Sequence, residues 1–218
     1  MGGLAVLLGG MVMVGWHAHL SALIQIQSTF VAMAYNTALC FLLSGVALLS
    51  FSFQWRWLAL ACGLSVALLG MVTGAQYLVG GDFGLDQLFM HHYIAVFTPH
   101  PGRMAPNTAL CFTFGGAGMV LAAWLHDRSW AWLGAGLLGM LLAVLGFLGF
   151  AGYLSGTEET YGWFDYTRMA IHTACGFIVV GLGLIPLAWH ARHWEQSTAR
   201  ERARSSGTHN LTFELTVF

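Results

Sequence analysis

No Asp, Glu, Lys or Arg occurs before Arg56, and four later gaps are equally empty of charge: Arg56 to Asp82, Arg103 to Asp127, Arg128 to Glu158 and Arg168 to Arg192. A helix that crosses a bilayer needs roughly 20 mostly apolar residues. The first stretch has room for two such helices and each gap for one. Six spans are therefore expected, near 2–20, 32–54, 57–79, 104–125, 130–153 and 169–190. Charged residues are 8% of the chain, against about 25% in soluble domains. The first span is expected to stay in place, because MGGLAVLLGG lacks the basic start of a cleavable signal and the Ser or Thr of a myristoylation signal.

Six spans put both termini on one side. All cations other than His are Arg. That side would hold Arg56, Arg128, Arg192, Arg200, Arg202 and Arg204, and the other side Arg103 and Arg168. The bias of positive loops toward the cytoplasm then orients both termini inward, in the inner membrane of a bacterium. Cys40, Cys62, Cys111 and Cys175 fall inside spans with no disulfide spacing, and core packing is their expected role.

One phrase is written three times: MAYNTALCF (Met33–Phe41), RMAPNTALCF (Arg103–Phe112) and RMAIHTACGF (Arg168–Phe177). The helix before each phrase ends near an aromatic residue, Trp16, Tyr77 or Tyr153. Each unit reads as a hairpin: a helix out, an outer loop, and the phrase opening the return helix. The expected fold is an all-α integral membrane protein, six helices in three repeated hairpins (about 1–55, 56–127 and 128–190) forming a quasi-threefold bundle. A charged tail, 191–218, follows on the cytoplasmic side. Repeats that cannot bury their own faces bury them against each other, and membrane repeats often relate by an axis along the membrane normal.

Two readings of the phrase stand side by side. In the first it only starts a helix. Pro106 suits a first turn, Asn36 and Asn107 or the neighbouring Thr cap free N–H groups, and Arg103 and Arg168 snorkel to the interface. In the second, Asn36, Asn107 and His172 converge on the axis and line an outward-facing pocket, with Arg103, Arg168, Trp16, Tyr77 and Tyr153 around it. Polar groups just inside a membrane are functional candidates by default.

The longest loop, GGDFGLDQLFMHHYIAVFTPHPGR, has a helical rhythm of apolar residues and predicts a short amphipathic helix on the outer interface. Asp82 and Asp86 there lack the further ligands of a cation loop, and the Gly-Gly-Asp ending at Asp82 fits turn and capping duty better. Gly134, Gly136, Gly139, Gly146, Gly149, Gly152 and Gly156 punctuate the fifth span and predict close helix approach. Pro186 sits where it would kink the last span.

His17, His19, His91, His92, His100 and His172 lie at the outer level with Met33, Met90, Met104 and Met169. Imidazole and thioether are ligands for copper, and imidazole for zinc, so a metal site is one candidate. His126, His190, His193 and His209 lie on the inner side, where a pair of imidazoles could hold haem b or simply favour helix C-termini. MHHY occurs once, in a loop, unlike the repeated helical motif of MHYT sensors. The sequence has no nucleotide-binding loop, catalytic triad, HExxH or GxSxG, so no enzymatic activity is expected of it. No basic stripe for nucleic acid is present. HNLTFELTVF at the end alternates like a strand.

WHAHLSALIQIQSTFVAMAYNTALCFLLSG, QYLVGGDFGLDQLF and HPGRMAPNTALCF resemble the membrane-integral N-terminal input regions of bacterial PAS-containing sensor histidine kinases and diguanylate cyclases, over roughly residues 10 to 190. The resemblance implies a signal-input module that detects a ligand or membrane state at the outer face. Its partners would be the lipid bilayer, a cytoplasmic kinase or cyclase output domain or separate protein, and, in a homodimer, a second copy of the chain. A metal- or haem-binding redox protein and a structural subunit of a larger complex are the alternatives.

Overall fold

The structure, a computed structural model, describes residues 1–27, 29–94, 99–155 and 168–187. Every regular element among them is helical. They are α1 (Gly2–His17), the single turn α2 (Ser21–Ile24), α3 (Tyr35–Ser52), α4 (Arg56–Val79), α5 (Pro106–Trp124), α6 (Ser129–Ser155) and α7 (Ile171–Leu187). By length and composition α3, α4, α5 and α6 can each cross a membrane, and α1 and α7 are shorter apolar helices. Gly156, Glu158, Arg192, Arg200, Arg202, Arg204 and the HNLTFELTVF segment lie outside the described residues.

α3 and α5 begin later than the apolar pattern predicts, because the residues before them are extended. The residue before each helix, Ala34 or Ala105, has ψ near 150° (148° and 151°). At Ala105 the cause is local: proline's ring disfavours a helical conformation in the residue preceding it. These extended segments run inward and bury Met33, Met104 and, before α7, Met169.

The helices pack in pairs, and the pairs share one crossing. A Cβ added at Gly70 of α4 would lie 2.6 Å from the Ala109 carbonyl oxygen of α5, and one at Gly146 of α6 would lie 2.6 Å from that of Ala174 in α7. Gly9 of α1 meets the Ala38 carbonyl of α3 in the same way. From the opposite side Gly45, Gly116 and Gly181 press on the backbones of Val6, Ala67 and Ala143. Each pair therefore needs glycine on both faces, because no side chain fits between the backbones.

α3 and α5 lie deeper in the bundle than α4 and α6. The most apolar stretches of α3 and α5 are each 61% buried, whereas that of α6 is 28% buried. Leu137, Met140, Val144, Phe147 and Leu148 of α6 are exposed, as are Leu64, Leu68, Met71 and Leu78 of α4. Apolar faces this long need an apolar solvent, and a bilayer supplies one. At the end where α3 turns into α4, exposed Phe53, Trp55 and Trp57 stand with Trp124 and Trp130, the composition of an interfacial aromatic belt.

The loop after α4 does not form the amphipathic helix its rhythm predicts. Polar anchors hold it in turns instead. Asp82 accepts the Gly84 N–H (2.8 Å), as its turn role requires, and Gln87 accepts that of His92 (3.2 Å). Gly84 and Gly102 have positive φ, 74° and 81°. Cys40, Cys62 and Cys111 are buried and Cys175 is half-buried, all unpaired, as packing residues would be.

Candidate functional site

The three repeated phrases meet at the end of the bundle that carries the loop after α4, called the outer end below. Trp16 Nε1 donates to the Met33 carbonyl (2.9 Å), Tyr77 Oη to that of Met104 (2.9 Å) and Tyr153 Oη to that of Met169 (2.7 Å). Each outgoing helix thus ends by tying an aromatic donor to the extended segment of its own return helix. An unpaired carbonyl at this depth would carry its full desolvation penalty, and these bonds remove it. One turn or more below, Phe41, Phe112 and Phe177 are in mutual ring contact, with centroids 4.9, 5.1 and 4.8 Å apart. All three are almost wholly buried, so their rings close the centre of the bundle.

Between the carbonyl ties and the phenylalanine seal lies a small cavity of about 10 Å³, measured to the centre of a water-sized sphere. Thr37, Thr108 and Thr173 line it, with Ala34, Ala105 and Ala170 and with Arg103 and Arg168 at its rim. Each Thr is 2% exposed. The sequence carried a signal for them: Thr is the only polar residue identical in all three phrases. Reading Asn and His as the pocket residues passed over it.

Asn36, Asn107 and His172, expected at the axis, are not among the residues that line this cavity. Asn36 donates through Nδ2 to the Leu85 carbonyl at 2.8 Å, in the loop after α4. His172 lies against the backbone of Ile24, the last residue of α2, and neither ring nitrogen reaches hydrogen-bond geometry. Asn107 takes the Thr108 N–H on Oδ1 (2.9 Å). Only Asn107 therefore serves a free N–H of its own helix. Asn36 is no cap, and neither α3 nor α5 has a side-chain cap on its N-terminal flanking residue. The reason is register: the extended residues before each helix place Asn one position inside the first turn, from which Asn36 reaches the loop after α4.

Arg103 does not snorkel. It is 4% exposed and donates through Nε to Asp86 Oδ2 (2.7 Å) and through Nη2 to the Gly81 carbonyl (3.0 Å), with its guanidinium 5.3 Å from the Tyr77 ring centre. Asp86 is its buried counter-ion, 8% exposed. A buried ion pair of this kind repays desolvation only when further contacts support it, and here the Gly81 carbonyl accepts one more hydrogen bond and the Tyr77 ring faces the guanidinium. Arg168 is half-buried at the matching place of the third phrase, and Ala32 occupies it in the first.

Among the described residues the outer histidines stand apart from one another. His17 bonds Tyr35 (3.1 Å), His92 packs on Trp16 (4.9 Å between rings), His19 on Tyr93 (4.8 Å) and His100 on Tyr77 (6.0 Å). His91 is exposed in the same loop, and His172 is on α7. Among the described residues no three of His, Cys, Asp or Glu could hold one ion. His17, His19, His92 and His100 each pack against an aromatic ring instead, which separates them from one another. At the opposite end His126 is engaged by Arg56 and by Asp127 (2.9 Å); His190, His193 and His209 lie outside the described residues, and with them any test of a haem pair.

No protein-family profile, no curated protein and no solved structure matches this chain.

Proposed function

We propose that the chain is a membrane-embedded signal-input module. In this reading all six apolar helices span a bacterial inner membrane, as three hairpins about a quasi-threefold axis with both termini in the cytoplasm. A ligand or a change of membrane state acts at the outer end, where the phrases meet. α7 carries the response inward to a kinase or cyclase output domain or a separate partner.

The observation that supports the reading most is the polar layer formed by Thr37, Thr108, Thr173, Arg103 and Arg168 around one cavity, seated on a closed ring of three phenylalanines. Polar side chains buried at a membrane edge are expensive to keep without use. An aromatic seal beneath them suits a site that is read out mechanically, not a conduit. α7 belongs to both layers, through Thr173 and Phe177, so a shift at the cavity has a direct covalent route along that helix.

The test is a chimera with a kinase or cyclase output domain fused after residue 204. Substitutions at Thr108 or Arg168 are expected to change output several-fold while the protein stays folded in the membrane. Output indifferent to every change around the cavity removes the sensory reading and leaves a structural subunit. Reporters inserted near Gly80 and after Arg204 are expected to read external and cytoplasmic; the opposite result overturns the orientation.

A further inference from the structure

We propose that the turn from α3 to α4 holds the headgroup of one anionic membrane phospholipid. Arg56 binds its phosphodiester, and an acyl chain lies along the outward face of α4. The turn carries an open cleft of about 600 Å³ lined by Gln54, Trp55, Arg56, Trp57 and Leu58, a size that suits a small organic guest. All five side chains are exposed. Exposed Trp124 and Trp130 stand at the same end, and such a belt marks the level of lipid headgroups. The one charged residue of the lining is Arg56, and no Asp or Glu lines it to receive an ammonium group. A guanidinium matches a phosphate with paired N–H donors.

The present partner of Arg56 is one it can give up. Its guanidinium engages His126 Nε2, on the turn between α5 and α6. The same nitrogen lies 2.9 Å from Asp127 Oδ1. A ring nitrogen accepts from a guanidinium only without its proton and donates to a carboxylate only with it, so it serves one neighbour at a time. A phosphate that takes Arg56 leaves His126 to Asp127, and neither charge loses a partner.

The surface that continues the cleft commits the guest to a lipid. Trp57, Ala61, Leu64, Leu68 and Met71 are all exposed, and their alternating spacing of four and three residues places them on one face of α4. That strip runs about 21 Å along the helix axis, enough to cross one leaflet, about 15 Å of hydrocarbon. Trp57 belongs to both the strip and the cleft. A free phosphate would use the arginine and leave the strip idle. A phospholipid uses both, with its charge in the cleft and its chain on the strip.

The experiment titrates the purified full chain in detergent with phosphatidylglycerol, with phosphatidylcholine of the same acyl chains, or with glycerol phosphate, and follows melting. Phosphatidylglycerol is expected to raise the melting temperature along a saturating curve, and the other two are not. Arg56→Gln is expected to weaken that binding about tenfold. Arg128→Gln, which removes a cation at the same end but outside the cleft, is expected to leave it unchanged. Equal stabilisation by phosphatidylcholine or by glycerol phosphate overturns the inference. So does an unchanged effect in Arg56→Gln, or an equal loss in Arg128→Gln. Should Arg56→Gln not fold, a phosphatidylglycerol analogue with a photoreactive headgroup decides on the unaltered chain: labelling within 54–58 supports the site, and labelling confined elsewhere refutes it.

Discussion

The first two hairpins share a frame and differ at its rim. Both cross at paired glycines, Gly9 with Gly45 and Gly70 with Gly116. Both tie a terminal aromatic to a methionine carbonyl, and both place a phenylalanine in the central ring contact at 4.9 Å. At the rim, however, the first has Ala32 where the second has Arg103 with its counter-ion Asp86. The frame therefore does not require the arginine. Positions common to the hairpins hold helices together, and positions that differ give the outer end its charge and its asymmetry.

The largest effect should come from the shared frame. Phe112→Ala, Phe41→Ala and Phe177→Ala are each expected to lose about 3–5 kcal/mol in detergent unfolding, with similar values because the rings occupy equivalent places. A large disparity among them would break the equivalence of the hairpins. Next comes the feature unique to the second hairpin. Arg103→Ala strands Asp86 and should cost about 3 kcal/mol or more. Arg103→Ala/Asp86→Ala should lose less than the single change, measured by the same unfolding. A double variant worse than the single would mean that the arginine serves the frame after all.

Much of this was legible in the sequence, and its limits have physical causes. Charge-free stretches and the threefold phrase located every long helix, and the aromatic residues before each phrase pointed to Trp16, Tyr77 and Tyr153. Two things were hidden. A loop's hydrophobic rhythm cannot reveal that Asp86 will pair with Arg103 across the turn at Gly102 and so prevent a helix. Nor does a linear phrase show which of Asn and Thr, adjacent in sequence, faces the centre. On a helix of 3.6 residues per turn they point about 100° apart, and the register depends on where the extended segment ends.

That register yields a finer test. Asn36 acts as a donor through Nδ2 and Asn107 as an acceptor through Oδ1. Replacing either with Ala should cost about 1 kcal/mol. Asp should restore stability at position 107, where it still accepts, and fail at position 36, where it cannot donate. Identical behaviour at both sites would erase the distinction. Smallest of all should be the pH response of the second hairpin's loop. Burial against Trp16, beside His19 and Tyr93, lowers the His92 pKa from its ordinary 6.5. A lowered histidine pKa means the unfolded loop binds more protons, so its stability should be complete above pH 6.5 and decline as pH falls below it. In His92→Gln that part of the decline, followed by melting between about pH 4 and 8, should vanish.

The reach of Asn36 to Leu85 and of His172 to Ile24 also bears on how the protein is made. A ribosome delivers the hairpins one at a time. The glycine crossing of each forms within its own hairpin, so the first can insert and close while the rest is still being translated. Its asparagine, however, has no acceptor until the second hairpin's loop emerges, and Ile24 waits for the last helix of all. The contact between the first and the last segments to appear thus forms only when synthesis is nearly complete. A chain cut short before α7 would leave Ile24 without the helix that packs against it.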